Sequence, residues 1–118
     1  MNTKAIMMAV FLLVGLVGIN SLGRFYLEPL VPGHEFNAYF VVRNPSSVDF
    51  ENVNVRMYMP DLDVLLRSQQ FDLNEGQHDV ARISWIVPAN IRSGNYIARV
   101  SAGNDHYSDV EYIYVTVY

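Results

Sequence analysis

The hydrophobic pattern of this chain changes character once. Ala5 to Ile19 (AIMMAVFLLVGLVGI) runs fifteen residues without a polar side chain. From about Glu35 the apolar positions recur at every second residue instead. Phe36, Ala38, Phe40 and Val42 alternate with Asn37, Tyr39, Val41 and Arg43, and Val53, Val55, Met57 and Met59 alternate with Asn52, Asn54, Arg56 and Tyr58. Ala81, Ile83, Trp85 and Val87 repeat the pattern, as do Tyr96, Ala98, Val100 and Ala102. A period of two sends successive side chains to opposite faces, so each stretch predicts a half-buried strand. Leu62 to Gln70 reads as a loop feeding a strand from Val64 to Ser68. Tyr107 to Tyr118 mixes its faces, which predicts a bulge or a strand buried on both sides.

Turn chemistry separates these runs: Asn44-Pro45-Ser46-Ser47, Asn74-Glu75-Gly76, Ser93-Gly94-Asn95 and Gly103-Asn104-Asp105. Pro60 and Pro88 sit just past strand ends, where a missing N–H harms no ladder. No stretch after Gly23 has helical periodicity. About seven short strands with turns at regular spacing define an all-β class, an antiparallel β-sandwich of immunoglobulin type. There is no cysteine, so the cross-link of antibody domains is absent, and Trp85 is expected to plug the space between the sheets.

The leader is a different object. Lys4 is the only lysine, it precedes the apolar run, and Ser21-Leu22-Gly23 closes it. A positive start, an apolar run and a small-polar exit predict an N-terminal hydrophobic α-helix serving as a signal anchor or a signal peptide. As a helix, Ala5 to Leu22 would span about 27 Å, against a bilayer core of about 30 Å. A soluble core helix would carry one polar face, and this run carries none. Lys4-Ala5 also resembles the cleavage site of archaeal type IV pilin-like precursors, although the early acidic residue of many such helices is missing. Gly15 and Gly18 are three apart, so the Gly-x-x-x-Gly pairing motif is absent. Lys4 and the amino terminus on one side, with Arg24 alone on the other, put the N-terminus in the cytoplasm and the rest outside. The expected organisation is therefore a leader helix over residues 1–23, a Pro29- and Pro32-containing linker over 24–34, and a sandwich over 35–118.

Composition narrows the function. A chain of 118 residues is one domain's worth, and 51% apolar with 17% charged residues excludes intrinsic disorder. Eight basic residues against twelve acidic ones give a net charge of −4, and the seven arginines are scattered singly, which argues against nucleic acid as a partner. His34, His78 and His106 have no companion at metal-ligand spacing. Met57 and Met59, alternating on a strand, read as core filler. Asp61-Leu62-Asp63 and Asp72-Leu73-Asn74-Glu75-Gly76 lack the spacing of a calcium loop and read as a solvated acidic rim. Neither a nucleophile elbow, a P-loop nor a dinucleotide fingerprint occurs. No catalytic, cofactor-binding or metal residue is expected, and neither a cofactor nor a small-molecule substrate.

Eight tyrosines are many for this length, and Tyr107, Tyr112, Tyr114 and Tyr118 crowd the last strand. They read in two ways: as core lining, or as an exposed stripe for a partner. If that strand lies at a sheet edge, it also offers unpaired N–H and C=O groups to a neighbouring chain.

The stretch Phe40-Val-Val-Arg-Asn-Pro-Ser-Ser, then Phe50-Glu-Asn-Val-Asn-Val-Arg-Met-Tyr-Met-Pro, resembles the opening of CARDB- and NEW3-like domains. Trp85-Ile-Val-Pro-Ala-Asn-Ile-Arg-Ser-Gly-Asn-Tyr-Ile-Ala-Arg-Val is similar to the "P…G-x-Y" element near their end. The resemblance covers about Glu35 to Tyr118. It implies an immunoglobulin-like module of archaeal and bacterial cell-surface proteins, and it carries no chemistry. The expectation is a non-enzymatic, membrane-anchored protein at the cell surface, contacting envelope proteins or copies of itself. A pilin-like filament subunit and a secreted carbohydrate-binding module, with Tyr107 and Tyr112 as its platform, are the alternatives.

Overall fold

The computed structural model describes residues 21–118, together with the backbone of Phe11–Leu13. Among the described residues, nine strands lie in two antiparallel sheets. The larger has the order β1-β9-β8-β4-β5, with β6 (Phe71–Leu73) also on β4. Its other members are β1 (Phe11–Leu13), β9 (Ser108–Val117), β8 (Gly94–Gly103), β4 (Phe50–Met59) and β5 (Val64–Arg67). The smaller has the order β2 (Leu22–Leu27), β3 (Glu35–Arg43), β7 (His78–Ile86).

The period-two pattern predicts the inward faces. Phe36, Ala38, Phe40 and Val42 from β3 meet Val53, Val55, Met57 and Met59 from β4, all buried between the sheets. Ala81, Ile83 and Val87 on one side, and Ala98, Val100 and Ala102 on the other, complete the layer. Removing each large side chain from water contributes about 1.5–3 kcal/mol. Trp85 is half-buried at the margin of this core rather than plugging it. Its strand partner Phe36 takes the central place.

Three expectations need correction. The expected N-terminal helix lies largely outside the described residues, but Phe11–Leu13 is a strand paired with Glu111–Ile113, and Leu22 begins another. Among the described residues no helix is long and apolar enough to cross a membrane. The expected linker over 24–34 is part of the sandwich. Its first residues pair with β3, Phe25 packs 6.0 Å from Phe40, and Leu30 is fully buried. Leu30 also accepts the Tyr118 N–H and bridges Val117 in parallel, joining the strand β2 leaves to the opposite sheet. Apolar residues at Phe25, Leu27 and Leu30 outweigh the prolines that made the segment look like a spacer. Finally, β9 is regular and unbulged, paired residue for residue with β8. The irregularities fall between Leu22 and Phe25 and between Phe50 and Val53, where Asn52 has φ 58°.

β5 and β6 are one edge strand broken at Ser68. The buried Ser68 hydroxyl takes the Val55 N–H at 2.9 Å and donates to the Gln69 carbonyl at 2.8 Å, filling the gap in the ladder. The turn before β5 is a short 3₁₀ segment, Pro60–Leu62, closed by Asp63 in the left-handed conformation.

Candidate functional site

Strand alternation sends Tyr112 and Tyr114 outward from β9, with Tyr118 just beyond its end, while Ile113, Val115 and Val117 enter the core. The tyrosines are therefore an outer stripe and not core lining. Register carries the stripe across the sheet. Tyr114 stands opposite Ile97, Tyr112 opposite Arg99, Arg99 opposite Tyr58 and Tyr58 opposite Leu65. In the next row Val110 faces Ser101, Ser101 faces Arg56, and Arg56 faces Arg67. From Asn54 onward, the outward positions of β4, β5, β8 and β9 hold three arginines and no carboxylate. Arg56, Arg67 and Arg99 form no side-chain hydrogen bond or ion pair among the described residues. Arg82 on the other sheet does, donating to Asn37 Oδ1 at 2.9 Å and lying 3.8 Å from Glu35.

Tyr107 does not join the stripe. It sits in the β8–β9 hairpin with its ring stacked on Phe50 at 4.8 Å, at one tip of the sandwich. There Asp49, Glu51, Asn52, Gln70, Asn104 and Asp105 surround an open polar cleft of about 460 Å³. The acids are partly committed to backbone donors. Asp49 accepts the Glu75 N–H at 2.9 Å, and Asp72, outside the lining, accepts the N–H of the lining residue Asn52 at 3.0 Å. Asn104 shapes the hairpin by accepting from the His106 and Tyr107 N–H groups and donating to the Glu51 carbonyl. The histidines stay apart: His34 lies in the turn before β3, His78 opens β7 opposite Arg43, and His106 meets Tyr107 edge-on at 6.4 Å. Among the described residues no three His, Cys, Asp or Glu side chains converge as a metal site.

On the inward side of β9 lie two acids that the mixed pattern concealed. Asp109 and Glu111 are buried, opposite Ala102 and Val100. Asp109 Oδ2 accepts the Leu22 N–H at 2.8 Å, and its Oδ1 is buried without a partner. Burial, and secondarily the charge of Asp109, pushes the Glu111 carboxyl up to about 7.

Sequence reasoning missed the arginine cluster because Arg56, Arg67 and Arg99 are isolated along the chain. The available signal was that each occupies an outward strand position: Arg56 and Arg99 lie between inward apolar residues, and Arg67 follows Leu66. Strand register, which brings them together, is not written in that pattern.

No family model matches the sequence, and no curated protein matches it. Solved structures are similar in fold. The CARDB domain of the PF1109 protein from Pyrococcus furiosus, in complex with di-metal ions, superposes with a TM-score of 0.59 at 14% identity, over 88% of this chain and 95% of that one. A Niemann-Pick type C2 protein from the Japanese carpenter ant gives 0.58 at 10% identity, over 88% and 98%. The C-terminal domain of wzt gives 0.54 at 15% identity, over 98% and 80%. The chain therefore has a CARDB-like β-sandwich fold, and likeness at these identities speaks for fold alone.

Proposed function

We propose that this is a non-enzymatic envelope protein, held at the membrane by the apolar run Ala5 to Ile19 and displayed outside the cell. Its sandwich makes protein–protein contact through the outer face of the larger sheet. The observation that carries this reading is the row Leu65–Tyr58–Arg99–Tyr112, with Arg56, Arg67 and Tyr114 beside it. Tyr and Arg are the residue types enriched at the centres of protein interfaces, and Asp and Glu are depleted there.

A photo-crosslinking residue in place of Tyr114 tests it in intact cells. A discrete protein adduct from position 114, and none from Ile86 on the outer side of the other sheet, is the expected result. No adduct at 114 contradicts the reading.

One observation favours a second reading, a filament subunit. Phe11–Leu13 comes from the apolar run, and here it lies against the β9 backbone. A run packed on protein need not sit in lipid. Ordered fibres in electron micrographs of the purified chain would favour this reading, and detergent-bound monomers the anchor.

A further inference from the structure

Among the outward side chains, Arg56, Tyr58, Leu65, Arg99 and Ser101 surround a shallow pocket of about 260 Å³. We infer that this pocket receives a carboxylate side chain from a partner polypeptide, a specificity that rests on the protein-contact reading above. Arg56 is directly opposite Ser101, and Arg99 directly opposite Tyr58, so the two arginines lie diagonally across one ladder. Neighbours at that spacing are within joint reach of one group between them.

The charges make the case. Arg56 and Arg67 are directly opposed on neighbouring strands, an arrangement that repels. From Asn54 onward no outward carboxylate on these strands relieves it, although the chain as a whole is net acidic. An anion arriving from outside would neutralise the cluster and accept charge-assisted hydrogen bonds from the guanidinium forks. Ser101 is a largely buried residue, but its hydroxyl forms no hydrogen bond among the described residues and stands in the pocket lining as a further donor. The surroundings favour a peptide over an acidic polysaccharide. Leu65, Ile97 and Val110 offer apolar contact to the stem of a glutamate and its neighbours, and sugar hydroxyls gain nothing there.

The test uses the full chain in detergent and fluorescence anisotropy with a labelled decapeptide of alternating Glu and Val. The same peptide with Gln for Glu, and an oligogalacturonate, are the comparison ligands. The Glu peptide is expected to bind, more weakly as salt rises, and the Gln peptide about tenfold more weakly or not at all. Arg56→Gln and Arg99→Gln should each weaken the Glu peptide about tenfold, while Arg82→Gln leaves it unchanged. Thermal denaturation guards against misfolding: Arg56→Gln removes a repulsion, so its melting temperature should stay level or rise. Equal binding by wild type and the two pocket variants, preference for oligogalacturonate, or failure of the Glu peptide to bind would each overturn the pocket. The Tyr114 adduct separates the two ideas. If it persists unchanged in the Arg56→Gln, Arg99→Gln double variant, protein contact stands and the carboxylate pocket falls.

Discussion

Asp109 accepts the backbone N–H of Leu22 at 2.8 Å, tying the start of β2 to the last strand across 87 positions of sequence. The contact joins the two sheets at the first residue of β2. Its cost is a second carboxylate, Glu111, held beside it in the same buried layer. Asp109→Ala should destabilise the fold by about 1–3 kcal/mol, because the Leu22 N–H loses its acceptor. Asp109→Asn, which keeps an acceptor, should do less harm in the same urea titration.

The Glu111 carboxyl titrates near 7 in the fold, against an ordinary value of 4.5. A folded state that holds its proton more tightly gains stability at low pH and loses it as pH rises through that interval. The contribution is fully present below about 4.5, declines from there to about 7, and is gone above. Glu111→Gln should flatten this decline and raise the melting temperature at pH 8. A melting temperature that falls at pH 8 would show that the ionised group is stabilised by contacts the fold does not display.

Asn44 is buried at the end of β3 and uses both ends of its amide. Nδ2 donates to the Val48 and Leu73 carbonyls at 2.7 and 2.9 Å, and Oδ1 accepts from Ser46 N–H and Oγ. Asn44→Ala should cost about 1–3 kcal/mol, since the buried Leu73 carbonyl loses its donor. Asn44→Asp should also destabilise, because a carboxylate cannot donate to those carbonyls.

Gly103 ends β8 with φ +153°, and a Cβ there would collide with the Tyr107 carbonyl oxygen. Gly103→Ala should destabilise by about 1–3 kcal/mol and disturb the Asn104 hairpin. Gly76, with φ +77° but open space around it, should tolerate alanine better. Paired melting curves decide the order.

Much of the fold was legible because one side of most strands is apolar. The inward sets of β3, β4, β7 and β8 were readable from alternation alone, and Asn44, Gly76 and Asn104 marked real turns. What escaped lies where alternation fails. Leu22–Leu27 is edge-paired and interrupted by prolines downstream, so its burial comes from the partner sheet and not from its own pattern. β9 carries acids inward and tyrosines outward, which inverts the usual code and left the tyrosines' direction open. The interaction face depends on register, a tertiary quantity that no single strand encodes.

The sandwich is proposed to stand outside the cytoplasmic membrane. The chain has no native cysteine, so Ser47→Cys, in the exposed turn after Asn44, gives a single reporter. Intact cells producing this variant are treated with a membrane-impermeant maleimide. The account predicts full labelling without lysis, with the labelled full-length chain recovered in the membrane fraction. Labelling that appears only after the cells are broken, on protein recovered from the soluble cytoplasmic fraction, would contradict it.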